Sequence, residues 1–196
     1  MKKYIDDYEL VIQEDSKGRE KKVAVYKGDY YEFNLDEPAL QKFRRNTLIL
    51  LALIVIGQIA AGFIANLGMY AFFVSLPYVF TFLPLYFLID GSLRLPKEKR
   101  DLRRDEAELI FKRMKTASKF LFPLVAVGIV GDLVYLIWFA SVAIGRELLF
   151  LAVEVIILAA AYLVLRMQKP IEVTMVTVEE ISIEGYDPTG DEKETE

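Results

Sequence analysis

The 196-residue chain contains neither cysteine nor histidine. Without cysteine there is no disulfide, thiolate nucleophile, iron–sulfur cluster or prenyl anchor. Without histidine the commonest general base and the usual haem or zinc ligand are missing. The sequence also lacks a P-loop, a zinc-ligand spacing, a nucleophile elbow and a kinase signature. Its first residues are charged and then alternate in polarity, so no cleavable signal peptide is expected. A further scarcity is local. Positive charge is absent from the interiors of four long apolar stretches, residues 46–66, 68–90, 119–141 and 147–166.

Those four stretches dominate what is present. Hydrophobic residues make up 54 % of the chain and the mean hydropathy is +0.30. Each stretch is long enough to cross a hydrocarbon core of roughly 30 Å at roughly 1.5 Å per helical residue. Lipid offers no partner to a bare peptide group, so each is expected to be a helix. The expected fold class is therefore a mainly α membrane protein, a four-transmembrane-helix bundle whose first span is an uncleaved signal-anchor. The cations sit on one side of it. Arg94, Lys97, Lys99, Arg100, Arg103, Arg104, Lys112, Arg113, Lys115 and Lys119 occupy the connection between spans two and three. Lys42, Arg44 and Arg45 precede the first span, Arg166 and Lys169 follow the fourth, and only Arg146 falls on the other side. This asymmetry predicts an inner-membrane protein with both termini cytoplasmic. Tyr70 and Trp138 fall near the opposite boundary, as interfacial aromatics do.

Outside the spans the pattern changes. Residues 1–36 read as a cytoplasmic β-meander, with strand candidates at 8–14, 22–26 and 30–35 separated by turn-prone runs. Asp36 reads as an N-cap and Pro38 as a first-turn residue, so a lead-in helix should run unbroken into the first hairpin of spans, 37–90. Residues 91–118 form a basic loop whose Leu102, Leu109, Ile110, Met114, Ala117 and Leu121 follow helical spacing, with a helix expected from about Asp101. After the second hairpin, 119–166, the segment 167–185 alternates again and can complete one small sheet with the N-terminal strands. Residues 186–196 read as an acidic, disordered tail.

The net charge of −4 thus conceals a basic loop and an acidic tail. Arg100, Arg103, Arg104, Lys112, Arg113 and Lys115 are candidate contacts for anionic headgroups, at about 1 kcal/mol per cation near the surface. No interleaved aromatics accompany them, so nucleic acid is not an expected partner. The bilayer is the expected partner, with a second copy or another membrane protein left open.

The sharpest chemistry lies inside the spans. Counted from the outer ends, Asp132 falls about 14 Å deep, and Glu154 and Gln58 about 12 Å, with Ser75 and Tyr78 in the same slab. A carboxylate at that depth costs about 2.5–3.5 kcal/mol or more and should face the bundle interior. With no cation in the spans, the acids must be neutral, share a proton, or hold a cation or amine. A neutral carboxyl can donate to Gln58 and knit the helices together. Gln58 shares its face with Ala61, Gly62 and Ala65, and Asp132 with Gly128 and Tyr135, as packed faces in lipid do. Pro77 and Pro84 imply a kinked, aromatic second span, able to line a cavity or simply to pack.

The run Gly128-Ile129-Val130-Gly131-Asp132 resembles the Gly-x-Gly-Asp element of intramembrane aspartyl proteases in its last residues only. Ile129 takes the place of the first glycine, and no second aspartate lies deep in another span. No catalytic residue, cofactor or metal centre is therefore expected. Two functional readings stand: a non-enzymatic accessory, scaffold or regulatory membrane protein, and a proton- or cation-coupled small transporter or channel subunit using Asp132 and Glu154.

Overall fold

A computed structural model describes residues 7–14, 20–98, 101–139 and 144–176. The chain divides into two compact units. One draws on Met1–Asn34, Arg100–Ala107 and Glu172–Glu196; the other comprises Leu35–Lys99 and Glu108–Ile171.

In the first unit β1 (Tyr8–Glu14) and β2 (Glu20–Tyr26) form an antiparallel hairpin, with Tyr8 opposite Tyr26 and Val11 opposite Val23. The third strand, β3 (Tyr30–Phe33), does not continue that meander. It lies instead between β4 (Leu102–Arg103) and β5 (Val173–Val176), antiparallel to both. Tyr31 faces Leu102 on one side and Met175 on the other, so both hydrogen-bonding edges of β3 are taken and none is left for β2. The turn is set by Tyr26, whose hydroxyl donates to the Asp29 carbonyl (2.8 Å) and accepts the Arg104 N–H (3.0 Å). The C-terminal segment thus pairs with the N-terminal one as its alternation suggests, but within a separate sheet. Ile181, Ile183 and the acidic tail lie outside the described residues.

A helix begins at Arg104, three residues later than expected, as the short α3 (Arg104–Ala107). It passes through a π-helical segment (Glu108–Lys112) into α4 (Arg113–Trp138), a continuous 35 residues. Ile110 and Phe111 are consecutive yet both buried, which the wider π turn accommodates.

The second unit is a helical bundle of α1 (Glu37–Phe63), α2 (Phe72–Leu93), α4 and α5 (Ile144–Gln168). Asp36 occupies the N-cap position and its carbonyl accepts from Leu40 N, but its side chain makes no capping bond. With the π segment and α3 joined to α4, all four helices are long and apolar enough to cross a membrane. Adjacent contacts run α1–α2, α2–α4, α4–α5 and α5–α1, closing a ring. Along α5 the buried Glu147, Phe150, Glu154, Ile157, Ala161, Val164 and Gln168 alternate three and four apart, with Ala160 buried beside Ala161. Leu51, Ile54, Gln58 and Ala61 do the same on α1, and Leu121, Val125, Gly128 and Asp132 on α4. This is the repeat of helices wound gently around a common core.

Outward faces carry Ile56, Phe63, Phe72, Phe80, Val130, Ile137, Leu149 and Ile156, all well exposed. An apolar exterior around a polar-dotted core is what lipid, not water, stabilises. Pro77 and Pro84 are buried, and Pro77 Cβ would lie 3.7 Å from a Cβ on Gly128. Pro77 thus packs toward α4, while Phe80, Phe82 and Tyr86 are exposed. The crevice between Tyr78, Thr81, Gly128 and Glu154 does not admit a water molecule, so α2 lines no open cavity there.

One connection differs from the reading by length. The first apolar stretch does not remain helical to Asn66. Helix α1 stops at Phe63, and a 3₁₀ turn at Gly68–Tyr70 precedes α2. Asn66 and Gly68 within this connection are buried.

Candidate functional site

The buried stripe of α5 carries two acids. Glu147 and Glu154 are seven residues apart, two helical turns, and therefore share one face. Glu147 is fully buried and Glu154 is 3 % exposed. On α4, Asp132 is fully buried. Its neighbour Gly131 lets the backbone of α2 come close: a Cβ there would stand 2.6 Å from the Phe73 carbonyl oxygen. That approach holds Asp132 inside the ring.

Glu147 meets the connection between α1 and α2. Its Oε1 accepts from the backbone N–H groups of Leu67 (2.6 Å) and Gly68 (3.2 Å). These amides precede and open the 3₁₀ turn, where no intrahelical acceptor serves them. A Cβ on Gly68 would stand 2.8 Å from Glu147 Oε2 and 3.2 Å from Asp132 Oδ1. The two oxygens are therefore no more than 6.0 Å apart, the sum of those distances. Any larger residue at 68 would enter the space between the carboxylates and Tyr135, which itself lies 3.2 Å away.

Many polar atoms here have no partner. Both Asp132 oxygens, Glu147 Oε2, Glu154 Oε1 and both ends of the Gln58 and Asn66 amides are buried and unpaired. Asp132 interacts electrostatically with both Glu147 and Glu154, so the three acids form a connected series. Arg146, the nearest cation in sequence, turns instead to the Ala65 carbonyl (3.4 Å). Buried polar groups are normally satisfied, and an unpaired one costs about 1–3 kcal/mol. The concentration of such atoms in one region makes it the chemical centre of the bundle.

The expected site residues fall into three groups. Asp132 and Glu154 belong to the acid series, and Gln58 is fully buried. Tyr78 donates to the Gln58 backbone carbonyl at 2.5 Å, tying α2 to α1 without reaching the Gln58 amide. Ser75 donates to Ala71 O within its own helix (3.3 Å) and satisfies itself locally. The sequence pattern does not single out Glu147, Asn66 or Gly68. Glu147 sat at the edge of an apolar stretch, where a headgroup position fits equally well. Its seven-residue spacing from Glu154 was the available signal.

The loop cations are largely engaged. Arg103 lies over the Tyr26 ring at 5.6 Å and Arg104 is 3.8 Å from Asp7. Arg113 is 3.5 Å from Asp90 and lies over the Phe87 ring, and Lys115 donates to Ile171 O at 2.6 Å. Lys112 is exposed, and Arg100 lies outside the described residues.

Carboxylates offer oxygen ligands to protons and hard cations and repel anions, and the Gln58 and Asn66 carboxamides add one oxygen each beside their N–H donors. Fold and site together define a four-helix protein of membrane-spanning dimensions with an acidic, oxygen-rich core. No protein-family model matches the chain, nor does any curated protein or solved structure.

Proposed function

We propose that the protein is a multi-pass inner-membrane protein, termini cytoplasmic, that binds a proton or a small hard cation within its bundle. In this role it acts non-enzymatically, as a small transporter or channel subunit or as a cation-responsive regulator. The observation that carries the reading is the convergence of Asp132 and Glu147 beside Gly68, with three of their four carboxylate oxygens unpartnered. Buried acids in a span are functional by default, and here no basic side chain of the apolar stretches compensates them. The crevice beside Glu154 does not admit a water molecule and so leaves no space there for an organic amine.

The test is thermal unfolding of the purified full-length protein in detergent, across pH and a panel of Na⁺, K⁺, Mg²⁺, Ca²⁺ and small amines. Asp132→Asn and Glu147→Gln are run beside the wild type. A cation that raises the wild-type Tm, competes with protons, and has no effect on either variant supports the site. Variants as stable as wild type, with no response to any cation or to pH, reduce the cluster to a structural layer. The scaffold reading would then rest on the β-sheet unit, whose Leu10 and Ile12 are well exposed.

A further inference from the structure

A second polar feature of the helical unit lies at the opposite end of α1 from the acids. An open cleft of about 670 Å³ is walled by Lys42, Arg44, Arg45 and Lys97, with Glu98 and the apolar Leu48. Four cations face one carboxylate. Lys42, Arg44 and Arg45 lie within one turn of α1, and Lys97 follows the end of α2, so two distant parts of the chain supply the charge. Arg44 is half-buried, and its Nε is shielded from solvent without a hydrogen-bond partner. Burying a guanidinium donor unpaired is costly, and an arriving anion would remove that cost.

We infer that this cleft is a binding site for the phosphate group of an anionic phospholipid. Phosphate offers several oxygens to diverging donors, which suits a pair of arginines flanked by lysines better than a single carboxylate would. The volume lies within the range of small-ligand sites, about 300–1,000 Å³, and matches a headgroup rather than a bare ion. The lipid source follows from position. Leu48 begins the apolar face of α1 directly beside the cations, so a bound phosphate would leave acyl chains running along the helix. This placement rests on the reading of α1 as a span. Arg113 and Lys115 differ, because Asp90 and the Ile171 carbonyl already engage them.

The experiment is native mass spectrometry of the full-length protein, titrated with phosphatidylglycerol and separately with phosphatidylcholine. Wild type is expected to retain phosphatidylglycerol selectively. Arg44→Gln/Arg45→Gln should bind it roughly thirty-fold more weakly, the loss of two surface cations, while Lys169→Gln, at an exposed cation outside the cleft, binds as wild type. Should the double variant not fold, Lys97→Gln decides, with an expected loss of about five-fold. Equal retention by the cleft variants overturns the site, as does an equal loss in Lys169→Gln, which would mean diffuse attraction. Glycerol phosphate that displaces the lipid at equal concentration would overturn the lipid source in favour of a soluble phosphate ligand.

Discussion

Glu147 performs two tasks with one carboxylate. Oε1 holds the Leu67 and Gly68 amides, and Oε2 stands close to Asp132. The two tasks separate by mutation. Glu147→Ala leaves two backbone donors unserved and should cost about 3 kcal/mol. Glu147→Gln keeps an acceptor for them and should stay within about 1 kcal/mol of wild type. Denaturant unfolding in mixed micelles gives the ordering, and hydrogen exchange over residues 64–71 locates the loss. Comparable destabilisation by both variants would show that charge, not the acceptor, holds the turn. At this scale the sequence was uneven. Asp132 and Glu154 announced themselves because a carboxylate deep in an apolar run has few tolerable surroundings. Glu147 did not, because its burial depends on how residues 64–71 fold over it, and no periodicity encodes that.

The helices owe their placement to alternating three- and four-residue spacing and to glycines at their closest approaches. At Gly131 the obstacle to a side chain is backbone, the Phe73 carbonyl, which cannot rotate away. At Gly128 the nearest atom is the Pro77 Cβ at 3.7 Å, an ordinary van der Waals distance. Gly131→Ala should therefore destabilise by about 1–3 kcal/mol, and Gly128→Ala by less. Thermal unfolding of the two variants side by side checks the order; a reversed order would mean that α2 gives way more readily at Phe73 than at Pro77. Length, hydropathy and Pro38 made α1, α2, α4 and α5 legible within a few residues. The strand partners were not. Alternation at Tyr30–Phe33 says which side chains share a face but not which chain segment lies alongside. The two-residue β4 is too short to carry any pattern.

At the scale of the whole molecule, the chain's lack of cysteine makes its orientation directly measurable. Tyr70→Cys should react with a membrane-impermeant maleimide in intact cells, whereas Lys22→Cys and Lys112→Cys should react only after permeabilisation. The opposite pattern would invert the topology and with it the side on which the cationic cleft opens. The β4-β3-β5 sheet has a consequence of another kind. Strand β3 is made before either of its neighbours, because Leu102 and Met175 follow the second and the fourth of the long helices. A ribosome therefore releases β3 with both edges bare, and the second edge closes only when the fourth span is already made. A chain cut before Val173 would therefore leave one edge of β3 unpaired, an exposed strand edge of the kind that invites pairing with another chain.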